Sequence, residues 1–126
     1  MGEAVRRILL AEDDRFLRKA AETALKRHGF TVVPAVDGEE ALQKVQAEVP
    51  DLILLDLLMP KVTGIEVLRS LRAAEATRAV PVLILSNSSR EQDLEEIKQL
   101  GVADYLVKAN LSLQELGDRV AGLLEG

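Results

Sequence analysis

Glu12, Asp13, Asp56, Ser86 and Lys108 each close a short apolar run, and their side chains together suit the transfer of a phosphoryl group at a metal ion. Ile8-Leu9-Leu10-Ala11 runs into Glu12-Asp13. Leu52-Ile53-Leu54-Leu55 runs into Asp56, Val82-Leu83-Ile84-Leu85 into Ser86, and Tyr105-Leu106-Val107 into Lys108. Aspartate and glutamate are anionic at neutral pH, because their ordinary pKa lies at roughly 4. Three such anions packed together repel, so one takes up a proton unless a cation joins them. Mg²⁺ is the expected guest. It prefers oxygen ligands in octahedral geometry and is held by a few carboxylates together with phosphate oxygens. Asp13 and Asp56 are expected as direct ligands, with Glu12 acting through water. Lys108 can neutralise charge on phosphoryl oxygens, and the Ser86 hydroxyl can donate to one of them.

Residues so distant in sequence can meet only if the fold gathers the ends of those runs. In an open parallel α/β sheet, ligands bind beyond the carboxyl ends of the strands. Near-continuous apolar runs are the pattern of strands in a sheet covered by helices on both faces. Strands are expected over roughly 6–11, 31–35, 51–56, 81–86 and 103–107. Helical patterns lie between them. The first follows Asp14, places Leu17, Ala20, Ala21, Ala24 and Leu25 on one face, and stops at His28-Gly29, glycine being a common helix stop. The second opens at Asp37-Gly38-Glu39-Glu40, like a capping box, and ends before Pro50. The third opens at Thr63-Gly64-Ile65-Glu66, with Ile65, Leu68 and Leu71 inward. The fourth opens at Ser88-Ser89-Arg90-Glu91 and stops at Gly101. The fifth opens at Ser112-Leu113-Gln114-Glu115, with Leu116, Val120 and Leu123 or Leu124 inward. Strand then helix, repeated, is a doubly wound α/β domain of (βα)5 type. Its expected form is a five-stranded parallel sheet in the flavodoxin-like order 2-1-3-4-5, with helices on both faces. That order sets Glu12, Asp13 and Asp56 side by side, then Ser86, then Lys108.

The chain has 126 residues, of which 48% are apolar, enough for one domain with a real core over its whole length. The net charge of −5 argues against direct contact with nucleic acid or an anionic membrane. There is no cysteine, so disulfides, thiolate zinc sites and cysteine nucleophiles are excluded. No apolar run reaches membrane-spanning length and no signal segment precedes the first strand, which points to a cytoplasmic protein. A Walker P-loop and a GxGxxG motif are both absent.

On these motifs the chain resembles a bacterial response-regulator receiver domain, the phosphoacceptor half of a two-component system. The acidic pair Glu12-Asp13 follows the first strand. Asp56-Leu57-Leu58-Met59-Pro60 with Gly64 matches the segment around the family's phosphoacceptor. Ser86 closes the fourth strand, and Lys108 closes the fifth with Tyr105 three residues earlier. The resemblance implies that Asp56 accepts the phosphoryl group from a histidine kinase or a histidine phosphotransfer protein, with Lys108 and Ser86 assisting. It implies a further Mg²⁺ oxygen from the Leu58 backbone carbonyl. It also implies a switch in which Ser86 and Tyr105 relay the change to the face formed by the fourth helix, fifth strand and fifth helix, a face also suited to a homodimer. Such a protein is a regulator that catalyses only its own phosphorylation and dephosphorylation.

Plainer roles stand beside these. Glu12-Asp13-Asp14 could simply be the acidic start of a helix, with Asp14 as its N-cap. Ser86 lies in a Ser-Asn-Ser-Ser cluster of loop type, and Tyr105 could be a half-buried strand tyrosine. His28, the one histidine, ends a helix, and Arg6-Arg7 with Arg69 and Arg72 read as solvated charges. The chain departs from the family in three places. Ala109 stands where proline usually follows the lysine. Asn87 stands where a very small residue is usual, which would narrow access to Asp56. Leu58 offers no side chain to orient an attacking water, which suggests a long-lived phosphoryl group. The alternative function is a phosphate-independent protein–protein adaptor. A Mg²⁺ phosphohydrolase is disfavoured, since no second aspartate follows two residues after Asp56.

Overall fold

The computed structural model describes residues 5–87 and 91–125. Five strands alternate with five helices: β1 (Arg7–Ala11), α1 (Arg15–Arg27), β2 (Thr31–Ala35), α2 (Gly38–Ala47), β3 (Leu52–Asp56), α3 (Gly64–Ala73), β4 (Val82–Ser86), α4 (Glu91–Leu100), β5 (Asp104–Val107) and α5 (Leu113–Glu125). A single 3₁₀ turn, Lys108–Asn110, follows β5. All strands are parallel, in the order β2-β1-β3-β4-β5, as the apolar runs imply. Element ends fall within a few residues of expectation. The expected opening of the fourth helix at Ser88-Ser89-Arg90 lies outside the described residues.

Alternation along each strand divides the core in two. Leu9, Ile53, Leu55 and Ile84 pack with Val45 of α2, Leu68 and Leu71 of α3, and Ile97 of α4. Ile8, Leu10, Leu52, Leu54, Leu83 and Leu85 point the other way, against Ala21 and Leu25 of α1 and Leu116 and Val120 of α5. The period of two along the strands thus serves both faces, which is why β3 and β4 are buried at every position.

Three helix starts, those of α1, α2 and α3, are each fixed locally. Asp14 accepts from the amides of Phe16 and Leu17. Asp37 accepts from Glu40. Thr63 and Glu66 cap one another's amides in a full capping box. Gly64, the first residue of α3, packs on the end of β3: a Cβ there would sit 2.3 Å from the Asp56 carbonyl oxygen. Only glycine admits so close an approach.

Arg69 is a solvated charge as expected, though paired, and Arg72 is not. The Arg69 guanidinium grips Glu96 of α4 through both carboxylate oxygens. Arg72 is half-buried and donates to the carbonyls of Val80, Gly101, Leu100 and Arg78, tying the end of α3 to the end of α4. Those carbonyls lie at the ends of helices and turns, where a planar guanidinium with several N–H groups can meet them together. Among the described residues, no helix is long and apolar enough to cross a membrane.

Candidate functional site

Register places the chemistry. Ala11 lies opposite Leu55, Asp56 opposite Leu85, and Ser86 opposite Val107, so Glu12, Asp56, Ser86 and Lys108 all emerge at one rim. The carboxylates of Glu12, Asp13 and Asp56 each offer an oxygen within 4.8 Å of the others. Lys108 bridges two of them, with Nζ 2.7 Å from Glu12 Oε1 and 3.1 Å from Asp56 Oδ2. Burial differs sharply across this cluster. Glu12 is 1% exposed and Asp56 3%, whereas Asp13 is open to solvent. Ser86 is buried beside them.

The remaining oxygens of the buried pair are held by backbone. Glu12 Oε2 accepts from the Asp14 amide at 3.0 Å, and Asp56 Oδ1 accepts from the Leu58 amide at 3.2 Å. Arg18 of α1, which the sequence patterning had not singled out, donates to the Glu12 carbonyl at 2.9 Å and braces the loop from beneath.

The charges do not balance. Burial, followed by the negative field of Glu12, raises the Asp56 carboxyl to about 7; Lys108 and the Leu58 amide hold it back only in part. Burial alone would lower Lys108. Its hydrogen bond to Glu12 and the fields of Asp56 and Glu12 outweigh that, so the ammonium is held above its ordinary value. Three carboxylates and one lysine leave an excess of negative charge in a largely buried site. Glu12 Oε1 has no partner beyond the Lys108 contact among the described residues. A hard divalent cation suits this all-oxygen donor set and its excess charge, so the residues present fit Mg²⁺.

The other expected residues fall around this centre. Leu58, two residues after Asp56, is 63% exposed at the rim. Tyr105 is half-buried against the core on the α2–α3–α4 side of the sheet. The Lys108-Ala109 peptide is trans. Asn87 is turned to β5: its Oδ1 accepts the Ala109 N–H at 2.7 Å. His28, far from the site, contacts Asp118 of α5.

Comparison with known proteins agrees with this fold. The sequence model described as "Response regulator receiver domain" matches residues 8–121. The alkaline phosphatase synthesis transcriptional regulatory protein PhoP of Bacillus subtilis is 38% identical over 119 residues, which cover 94% of this chain and 48% of that protein. The chain spans half or less of the length of the curated relatives it matches. In fold, it is similar to a CheY-like receiver domain protein of Methanospirillum hungatei JF-1, with a TM-score of 0.89 at 20% identity, covering 97% of this chain and 95% of that one. A Mn²⁺-bound form of response regulator Rcp1 aligns with a TM-score of 0.80 at 31% identity, covering 94% and 91%.

Proposed function

The chain belongs to the response regulator receiver domain family of two-component signalling, and from that premise we propose that Asp56 is its phosphoacceptor and that the whole chain works as one receiver domain. The observation that carries this reading is the convergence of Glu12, Asp13 and Asp56 on one point, with Lys108 reaching into the same cluster.

Asp56 must react as the carboxylate. Its Oδ attacks the phosphorus of a phosphohistidine, an O–P bond forms, the P–N bond breaks, and the leaving imidazole takes up a proton. The Lys108 ammonium lies 3.1 Å from Asp56 Oδ2, close enough to follow charge onto the phosphoryl oxygens. The buried Ser86 hydroxyl donates to one of those oxygens. Asp13 and Asp56 would hold Mg²⁺, with Glu12 acting through water and the Leu58 carbonyl adding an oxygen. When bound, Mg²⁺ supplies neutralising charge for the carboxylates and the incoming phosphoryl group. Ser86 and Tyr105 then pass the change to the face of α4, β5 and α5, where a homodimer could also form.

The donor is a histidine kinase or a histidine phosphotransfer protein, and the site of action is the cytoplasm. The acidic charge of this chain disfavours direct DNA contact. Its relatives include transcriptional regulators about twice its length, so a DNA-binding output reached through another segment or partner fits the proposal.

The test is intact-protein mass after incubation with Mg²⁺ and acetyl phosphate, beside Asp56→Asn. One added phosphoryl group, lost on chelation and absent from the variant, supports the reading. No adduct at saturating Mg²⁺ overturns it in favour of a phosphate-independent adaptor.

A further inference from the structure

The turn that carries Lys108 begins without a cap of its own. The first N–H groups of any helical turn have no partner inside it. A Ser, Thr, Asp or Asn just before the turn commonly accepts one of them. Here that position is Val107, whose side chain has no acceptor, and it makes no capping bond. The acceptor comes from the neighbouring strand instead, as Asn87 Oδ1 takes the Ala109 N–H at 2.7 Å. Asn87 directly follows Ser86, and Ser86 lies opposite Val107. A side-chain carbonyl therefore continues the β4–β5 ladder one step past its last pair and caps the turn from outside.

The residues at 87 and 109 depend on one another. Proline at 109 would have no N–H to donate, and a glycine or alanine at 87 would have nothing to accept it with. Lysine has a long flexible stem, so its reach depends on where the backbone launches it. The backbone after Lys108 is held by the residue after Ser86. Any displacement at the end of β4 is thus carried into the loop that aims Lys108 at Asp56.

We propose that Asn87 is a positioning residue for Lys108, linking the Ser86 strand end to the lysine through the Ala109 N–H. The kinetic consequence rests on the reading of Asp56 as phosphoacceptor; the link itself does not.

Three variants of the full chain test it. Asn87→Leu keeps the bulk and removes the acceptor, Asn87→Ala removes both, and Asn87→Asp keeps an acceptor oxygen. Hydrogen exchange at the Ala109 amide is expected to quicken in the Leu and Ala variants and to return to its slow rate in Asp. The maximal rate of acetyl phosphate labelling with Mg²⁺ is expected to fall about tenfold in Leu and Ala, with little change in the half-saturating donor concentration, the scale of a slightly misaimed catalytic group. Wild-type exchange and labelling in Asn87→Leu, or faster labelling in Asn87→Ala through a widened entrance, would overturn the proposal. If the wild-type chain itself takes no label, the Asp56 reading fails separately. The Lys108 ammonium resonance then decides: a shift in Asn87→Leu that Asn87→Asp reverses sustains the link, and an unmoved resonance sinks it.

Discussion

Asp56, the proposed phosphoacceptor, also sets a pH dependence of folding. Its carboxyl is raised from the usual 3.8 to about 7 by burial and by Glu12. Between those values the folded chain binds the proton more tightly than the unfolded chain does. The stabilisation is complete below the unfolded value and is lost as pH rises through 7. Metal-free protein is therefore expected to melt at lower temperature at pH 8 than at pH 5.5, and Asp56→Asn to flatten that slope. Mg²⁺ added at pH 8 should recover the loss, since a ligand that binds only the folded state stabilises it. A wild-type melting curve with no fall between those pH values would contradict this account. The carboxylates and Lys108 were legible because each closes an apolar run. The roles of Arg18, Arg72 and Asn87 were not, since each depends on carbonyls or amides supplied by another part of the chain.

At the scale of elements, the start of α3 separates a stability effect from a functional one. Thr63→Ala removes one half of the capping box and is expected to cost about 1 kcal/mol in denaturant unfolding, with labelling of Asp56 nearly unchanged. Gly64→Ala does something different. The added Cβ meets the Asp56 carbonyl oxygen at 2.3 Å and the Leu57 Cα at 2.6 Å, both backbone atoms, so the loop beyond Asp56 must move. Labelling by acetyl phosphate should then drop well beyond what the Thr63 variant loses. Equal labelling in the two variants would show that this loop tolerates displacement. The helices were readable from caps and apolar faces. The tie of Arg72 to the end of α4 was not, because a charged side chain at helix spacing looks the same whether it meets water or carbonyl groups.

At the scale of the molecule, the two packed faces of the sheet leave one rim for function, and that rim has apolar shoulders. Phe16, on the first turn of α1, is 86% exposed, and Leu58 beyond Asp56 is 63% exposed. A partner protein that brings a phosphohistidine to Asp56 would cover them. Phe16→Ala is expected to leave stability within about 0.5 kcal/mol. It should slow transfer from a phosphorylated histidine phosphotransfer protein about tenfold while leaving acetyl phosphate labelling unchanged. Loss of both activities together would place Phe16 in the folded framework instead.

The sequence by itself determined the elements, their order and the fold class, because strand periodicity, helix caps and glycine stops are local and each segment carries its own signal. It also determined which side chains would close the strands, since the boundary between an apolar run and its polar end is written in adjacent residues. Only the tertiary structure decided how those side chains share charge. Lys108 between Glu12 and Asp56, the raised Asp56 carboxyl, the contrast between buried Glu12 and open Asp13, and the Asn87–Ala109 link all arise where strands distant in sequence become neighbours. Their physical basis is desolvation and distance, and both come into being only when the sheet assembles.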